Sequence, residues 1–342
     1  MSFSAINRRR FIGGLGLVAA GLLVPARFAD PTVRRGSRML MGTRIGIVAE
    51  GMHPGETDHA LTAAFEGMAR LEKLMSRYRG DSTIAALQRV AGRHAVTVAP
   101  EVMAVLLRAR SVSELSGGAF DITVGAYDGW RFEGGGSVAP AAEALRRQRA
   151  LVDYRDVVLD ERRGTAYLGR PGMRLDLGGI AKLPILQAGL QILRHHGIVN
   201  AMIDGGGDVL TLGRLQERPW RVGIRDPLHP ESLLGVLEMN DGVVASSGDY
   251  ERFFERDGRR YHHILDPRTG YPSSGLRGVT LVSRGGADLN GLGAAMMVMG
   301  ADAMLALTAG AGAPEALTVD TAGHLRLTAG FDLRTTLRFP KA

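Results

Sequence analysis

Glycine supplies 47 of the 342 residues, about twice the usual share of roughly 7%, and the excess gathers into short clusters. These are Leu177-Gly178-Gly179-Ile180-Ala181-Lys182, Asp204-Gly205-Gly206-Gly207-Asp208 and Asp266-Pro267-Arg268-Thr269-Gly270. A residue without Cβ lets backbone turn sharply or approach a bound group closely. Glycine loops beside helix starts also expose backbone N–H groups, which suits a pyrophosphate. Any one cluster taken alone is more often just a turn, so the weight rests on their joint order. Neither a G-x-G-x-x-G dinucleotide fingerprint nor a P-loop is present, so a dinucleotide would have to be held in another way.

Around these loops the composition is globular: 45% hydrophobic and 23% charged residues, enough to fold throughout. The net charge of +7 owes part of its size to Arg8, Arg9 and Arg10. The remainder has no run of basic residues interleaved with aromatics, which argues against nucleic acid as a partner. The absence of cysteine excludes disulfides, thiolate metal sites, a lipid-modified cysteine and cysteine nucleophiles.

The first residues read as a leader. Asn7-Arg8-Arg9-Arg10-Phe11-Ile12 resembles the twin-arginine signal, which a translocase for folded passengers reads. The apolar stretch Phe11 to Val24 is about 14 residues, short of the roughly 20 that span a bilayer, so no stable membrane insertion is expected. Cleavage is expected after Ala26, with Ala29 as the rival. This divides the chain into a signal peptide, 1–29, and one domain, 30–342, with a periplasmic destination.

Periodicity then places the elements. A strand is expected over Thr43 to Val48 and helices over Thr57 to Met75, Glu101 to Leu115, Pro140 to Leu151, Ile185 to His195 and Gly291 to Ala309. Short strands are expected at Arg218 to Ile224, Leu234 to Glu238, Val243 to Ser246, Arg260 to Leu265 and Val279 to Val282. Blocks of strands and helices without strict alternation predict one closely packed α+β unit.

Seven segments in order carry a resemblance. They are Met41-Gly42-Thr43, Ser76 to Ser82, Gly117 to Asp121, Asp176 to Lys182, Asn200 to Asp208, Ser246 to Tyr250 and His262 to Pro267. Together they resemble the successive motifs of the FAD:protein FMN transferase, or ApbE-like, family. The resemblance implies a T-fold-related α+β architecture of mixed sheets and packed helices. It also implies an enzyme that, with Mg²⁺, moves FMN from FAD to a Thr or Ser hydroxyl of a target flavoprotein, releasing AMP. The target expected for the family is a subunit of a membrane electron-transfer complex. By the same resemblance Met41, Tyr78, Ala119, Phe120, Asp121, Asp176, Lys182 and Ile264 line the FAD site. Tyr78 offers an aromatic face, Asp121 an acceptor for a ribose or base edge, and Lys182 a cation for the pyrophosphate. His263 is the candidate catalytic residue, since a neutral imidazole can accept the target hydroxyl's proton. A hydrogen bond to a neighbouring carbonyl is its structural alternative, and turn capping is that of Asp249 and Asp266.

The metal positions depart from the family. The resemblance places cation ligands on a backbone oxygen near Gly179 and on an Asp and a Thr one helical turn apart. Here those positions are Asn290 and Ala294. Asp288 lies two residues upstream, about 200° away on a helix. Leu183-Pro184 and Gln187 depart as well, beside the phosphate site. Two readings follow: a transferase with altered metal coordination, or a non-catalytic FAD-binding accessory protein for maturation of a respiratory enzyme.

Overall fold

The computed structural model describes residues 32–132, 137–284, 286, 288–310 and 312–334; the expected leader and its cleavage site lie outside the described residues. The chain opens with a hairpin of β1 (Val33–Leu40) and β2 (Thr43–Glu50), followed by the helices α1 (Pro54–Met75), α2 (Thr83–Arg89) and α3 (Pro100–Leu115). β3 (Val96–Thr97), just before α3, forms a small sheet with β4 (Val157–Asp160) and β5 (Thr165–Leu168), which follow α4 (Ala142–Arg149) and precede the long helix α5 (Lys182–His195). The second half supplies β6 (Asn200–Asp204), β7 (Val209–Leu212), β8 (Trp220–Arg225), β9 (Leu233–Met239), β10 (Gly242–Gly248), β11 (Phe253–Arg256), β12 (Arg259–His262) and β13 (Leu276–Ser283). It closes with α6 (Leu292–Met299), α7 (Met304–Leu307), β14 (Glu315–Asp320), β15 (Leu325–Leu327) and α8 (Ala329–Arg334).

The main sheet has eight strands in the order β1-β2-β6-β7-β10-β13-β14-β15, and every neighbouring pair in it is antiparallel. Side chains alternate across it, as a period of two requires. Ile45, Ile47 and Ala49 of β2 enter the core shared with α1, α3 and α5, whereas Val48 enters a second core under the β8–β9 hairpin. β6 and β13 repeat the division: Ala201, Ile203, Val279 and Leu281 face the helices, Met202 and Val282 the hairpin. The sheet is thus buried on both faces, and its turns are left for function.

Register decides where those turns go. Gly46 pairs with Asp204, Asp204 with Val209, Val244 with Val209 and Gly248 with Gly278. The β1–β2 turn, the glycine loop 205–208, the end of β10 and the start of β13 therefore share one end of the sheet. The excursion from β10 to β13, which carries β11, β12 and His263, leaves from that end and returns to it.

The expected α+β unit is present, and the helices at Thr57 to Met75 and Glu101 to Leu115 stand within three residues of their expected bounds. The helix expected over Gly291 to Ala309 is broken. α6 stops at Met299 because Gly300 adopts φ 87°, a left-handed geometry that closes a helix. The strand expected to reach Leu265 ends at His262, so His263 and Ile264 follow it as loop. The helix Pro140 to Leu151 is shorter, and α5 starts three residues earlier than expected, at Lys182. Among the described residues no helix is long and apolar enough to cross a membrane.

Asp249 fastens the β11–β12 excursion to the sheet. It is buried, and its two oxygens accept from Arg260 Nη1 of β12 at 3.2 Å and Arg277 Nη1 of β13 at 2.7 Å. It is an ion-pair hub and not a turn cap. Replacing one member of such a buried network leaves charge uncompensated, so Asp249→Ala should cost roughly 3 kcal/mol in urea unfolding. A loss below roughly 1 kcal/mol, the value of an exposed pair, would show that the hub does not hold the excursion.

Candidate flavin site

At the shared end of the sheet the backbone is drawn together. Met41 and Gly42 make the tight β1–β2 turn with φ of 52° and 70°, positive values that a type I′ hairpin turn needs at both positions. Glycine takes this at no cost; Met41 does not, and its N–H is held by Glu72 Oε1 at 2.7 Å. A strained non-glycine residue persists where surrounding structure fixes it. Next door, Gly206 and Gly207 have φ of 67° and 97°, and a Cβ on Gly206 would come within 2.5 Å of Thr43 Oγ1. The Met41-Gly42-Thr43 segment and the second glycine cluster are therefore in direct contact.

From there the contacts run on without a break. Asp208 accepts from Ser246 N at 3.2 Å and pairs with Lys182 Nζ at 3.5 Å. Burial pushes the Asp208 carboxyl up despite the Lys182 charge. Lys182 is the first residue of α5, carried there by the first glycine cluster. In that cluster a Cβ on Gly179 would lie 3.3 Å from the Phe120 ring and 3.6 Å from Ala294 Cβ. One on Gly293 would lie 2.6 Å from Ser247 Oγ. Gly179, Phe120, Ala294, Ser246, Asp208 and Lys182 are thus brought together.

Asp176 adds a second charged arm. Its Oδ2 binds Arg77 Nη1 at 2.5 Å and its Oδ1 accepts from Gly178 N at 2.8 Å. Burial opposes its ionisation, yet the Arg77 charge, those hydrogen bonds and Arg252 hold it below the usual carboxylate range. Tyr78 is 82% exposed, with the Arg77 guanidinium 5.6 Å from its ring centroid. A large aromatic left in solvent beside a half-buried ion pair is available to a planar ligand. Arg77 and Arg252 were not singled out by sequence reading. Arg77 sat inside the quoted segment Ser76 to Ser82, while Arg252 had no local signal.

His263 stands where the arms converge. Burial first, then repulsion from Arg252, His262 and Lys182, pushes its pKa down to about 3, so the imidazole is neutral. Its N–H backbone donates to Arg252 O at 3.1 Å, and its Nδ1 is buried without a hydrogen-bond partner. The carbonyl-binding role belongs to its neighbour: His262 Nε2 lies 2.9 Å from Ser273 O. Ile264 continues the segment, half-buried against the main core.

Other expected residues face inward. Ala119 and Phe120 are buried. Both oxygens of Asp121 are engaged, Oδ1 by Thr123 N at 2.7 Å and Thr123 Oγ1 at 2.6 Å, Oδ2 by Tyr154 N at 2.8 Å. Asp121 thus fixes the turn that carries Phe120. The third glycine cluster is a packed turn: Asp266 caps it through Arg268 N at 2.9 Å, and a Cβ on Gly270 would lie 2.6 Å from the Tyr127 ring.

Mg²⁺ demands near-octahedral oxygen ligands, usually with carboxylates among them. Asn290 precedes α6, and Gly291, at φ 80°, starts that helix, so Asn290 and Ala294 are not a pair on one helical turn. Asn290 Oδ1 is buried without a partner, but Ala294 contributes only a methyl group. Asp288 accepts from Asn290 N at 3.0 Å and from Asn290 Nδ2, and Arg108 Nε holds it at 2.9 Å. Among the described residues no group of three or more His, Cys, Asp or Glu is placed to hold a metal ion. These residues do not fit a Mg²⁺ site.

Loops gathered at the turn end of an eight-stranded antiparallel sheet, with Lys182 at a helix start and a neutral histidine beside it, define an α+β protein with its candidate site at that end of the sheet. The chain matches the ApbE family over residues 41–317 and belongs to it. It is 38% identical over 230 residues to the FAD:protein FMN transferase of Klebsiella pneumoniae (strain 342), covering 66% of this chain and 71% of that one. With the Treponema pallidum (strain Nichols) FAD:protein FMN transferase it shares 34% over 320 residues, 87% of this chain and 88% of the other. The crystal structure of the ApbE protein of Thermotoga maritima superposes with a TM-score of 0.80 at 30% identity, covering 89% and 99% of the two chains. The flavin transferase ApbE of Vibrio cholerae gives 0.75 at 26%, covering 88% and 99%.

His263 also fixes a pH dependence. It stays neutral to about 3 in the folded chain but titrates near about 6.5 once unfolded. The unfolded chain takes up that proton first, so stability falls as pH drops from about 6.5 towards about 3. Urea midpoints across this window should fall less steeply for His263→Gln than for the parent; equal slopes would show that His263 is not held neutral.

Proposed function

We propose that this chain transfers the FMN half of FAD to a Thr or Ser hydroxyl of a periplasm-facing flavoprotein, after export through the twin-arginine route. The target belongs to a membrane electron-transfer complex. The observation that carries this reading is His263: a neutral, half-buried imidazole whose Nδ1 is buried and unpartnered, under the charges of Arg252 and Lys182.

In the step itself the target Oγ attacks the FMN phosphorus and forms a phosphoester. The P–O bond of the pyrophosphate breaks, AMP leaves with the bridging oxygen, and the hydroxyl proton passes to the His263 imidazole. A pKa near about 3 makes the free imidazole a weak base. The pyrophosphate's negative charge beside Lys182 and Arg252 offsets the repulsion they exert, and His263 gains proton affinity when FAD is bound. Tyr78 stacks on a planar ring of the dinucleotide, while Asp176 and Arg77 fix the first glycine cluster beneath it. Met41 and the 205–208 loop bound the opposite side.

A second reading, a flavin-holding accessory protein for maturation of a respiratory enzyme, is favoured by the donor set at Asn290 and Ala294. Transfer decides between them. With FAD and a Thr-bearing target segment, the parent should form covalent flavin. His263→Ala should lower kcat by about 10²–10⁴-fold, the range for a lost general base, with little change in the FAD Kd. Absence of covalent product with any metal would leave only the accessory reading, and an unimpaired His263→Ala would remove His263 from the chemistry.

A further inference from the structure

A hard dication is held by anionic oxygen, and dehydrating Mg²⁺ in particular requires it. The residues Gly179, Asn290 and Ala294 themselves offer neutral donors only. Asn290 brings one amide oxygen. Ala294, whose Cβ lies 3.6 Å from where a Gly179 Cβ would stand, brings none. The nearby carboxylates are spoken for: Asp208 pairs with Lys182 and Asp176 with Arg77, while Asp288 receives the Arg108 guanidinium through Nε at 2.9 Å, its carbonyl takes Arg108 Nη2 at 2.7 Å, and the amide of Asn290 closes the turn onto the same side chain. Moving Asp288 towards Gly179 would break its contacts with Arg108 and Asn290.

Positive charge reaches the cleft from side chains instead. Lys182 sits at the start of α5 beside Asp208. Arg252 acts electrostatically on both Asp176 and His263, and Lys182 on His263. Both cations therefore act on one imidazole. A pyrophosphate placed there meets fixed cations that need no dehydration by a metal site.

We infer that this chain binds FAD without a divalent cation, its pyrophosphate neutralised by Lys182 and Arg252, and that Asn290 and Ala294 are the residues that abolish the cation site. The inference rests on the reading of the cleft as an FAD site, shared by the transferase and the accessory protein. It makes the FAD affinity of this chain a property of its own side chains.

Isothermal titration of the full chain with FAD, in EDTA and in excess MgCl₂, reads the inference directly. The expected result is a Kd that agrees within about twofold in the two buffers, whereas a coupled cation would tighten it by about tenfold or more through linkage. Asn290→Asp combined with Ala294→Thr should introduce that Mg²⁺ dependence, reversed by EDTA. Mn²⁺ added to the parent should remain free by electron paramagnetic resonance. A parent whose FAD affinity rises tenfold with Mg²⁺, or which binds Mn²⁺ stoichiometrically, overturns the inference while the FAD reading stands. No FAD binding in either buffer overturns the FAD reading and the inference with it. A folded double variant that still ignores Mg²⁺ overturns the assignment to these two positions.

Discussion

The antiparallel pairing of β2 with β6, with Gly46 opposite Asp204, sets the geometry of everything at the cleft. It brings the Met41-Gly42 turn level with the 205–208 loop, and the next pairing, of Val244 with Val209, brings Ser246 level with Asp208. A slip of one residue would turn Ile45, Ile47 and Ala49 away from the helical core and towards the hairpin. Burial on both faces therefore enforces the register, and the register delivers the loops. The cleft needs no separate scaffold.

Within that frame, charge is arranged to keep histidine neutral and carboxylates structural. Asp176 is ionised against Arg77, and Asp208 is paired with Lys182, so neither is available as a proton acceptor in the ligand-free chain. His262 is committed to Ser273 O. His263 is left as a neutral imidazole, depressed by burial and by the charges of Arg252 and Lys182 among its neighbours. Burial alone would fix its state; the added cations let a polyanionic ligand change it. The Asp249 hub matters for the same reason, since it holds β12, the strand that ends immediately before His263, against β13.

Local signals carried well where local physics decides. The apolar spacing Leu61, Phe65, Met68, Leu71, Met75 gave α1, and all five are buried. Two glycine clusters reached the cleft. The strands β1, β6, β7 and β14 were not visible, because a strand buried on both faces or interrupted by Gly and polar residues lacks the alternation of a half-buried one. The helix through Gly291 to Ala309 was overextended because its residues are apolar all round, leaving no period to show that Gly300 turns left-handed. Asp249 and Arg252 act on residues 28 and 11 positions away in the chain, Arg277 and His263. Such ion pairs and fields follow from the fold and leave no spacing to read.

The region before α6 joins these threads. Gly291, at φ 80°, sits where a Cβ would be 3.4 Å from the Phe120 ring and 3.2 Å from Val112, so the chain enters the helix through a tight, left-handed corner. Asn290 is fixed at that corner with its amide turned to Asp288, which Arg108 of α3 anchors. A carboxylate at position 290 would face Asp288 across the same short contact and be repelled by it, whereas the amide donates to it. Asn290, Asp288 and Arg108 are therefore a self-consistent set: the amide donates to the carboxylate, and the carboxylate is paired with the guanidinium. A charge introduced at position 290 therefore acts on Asp288 and Arg108 as well, and in Asn290→Asp a bound cation would offset the repulsion from Asp288.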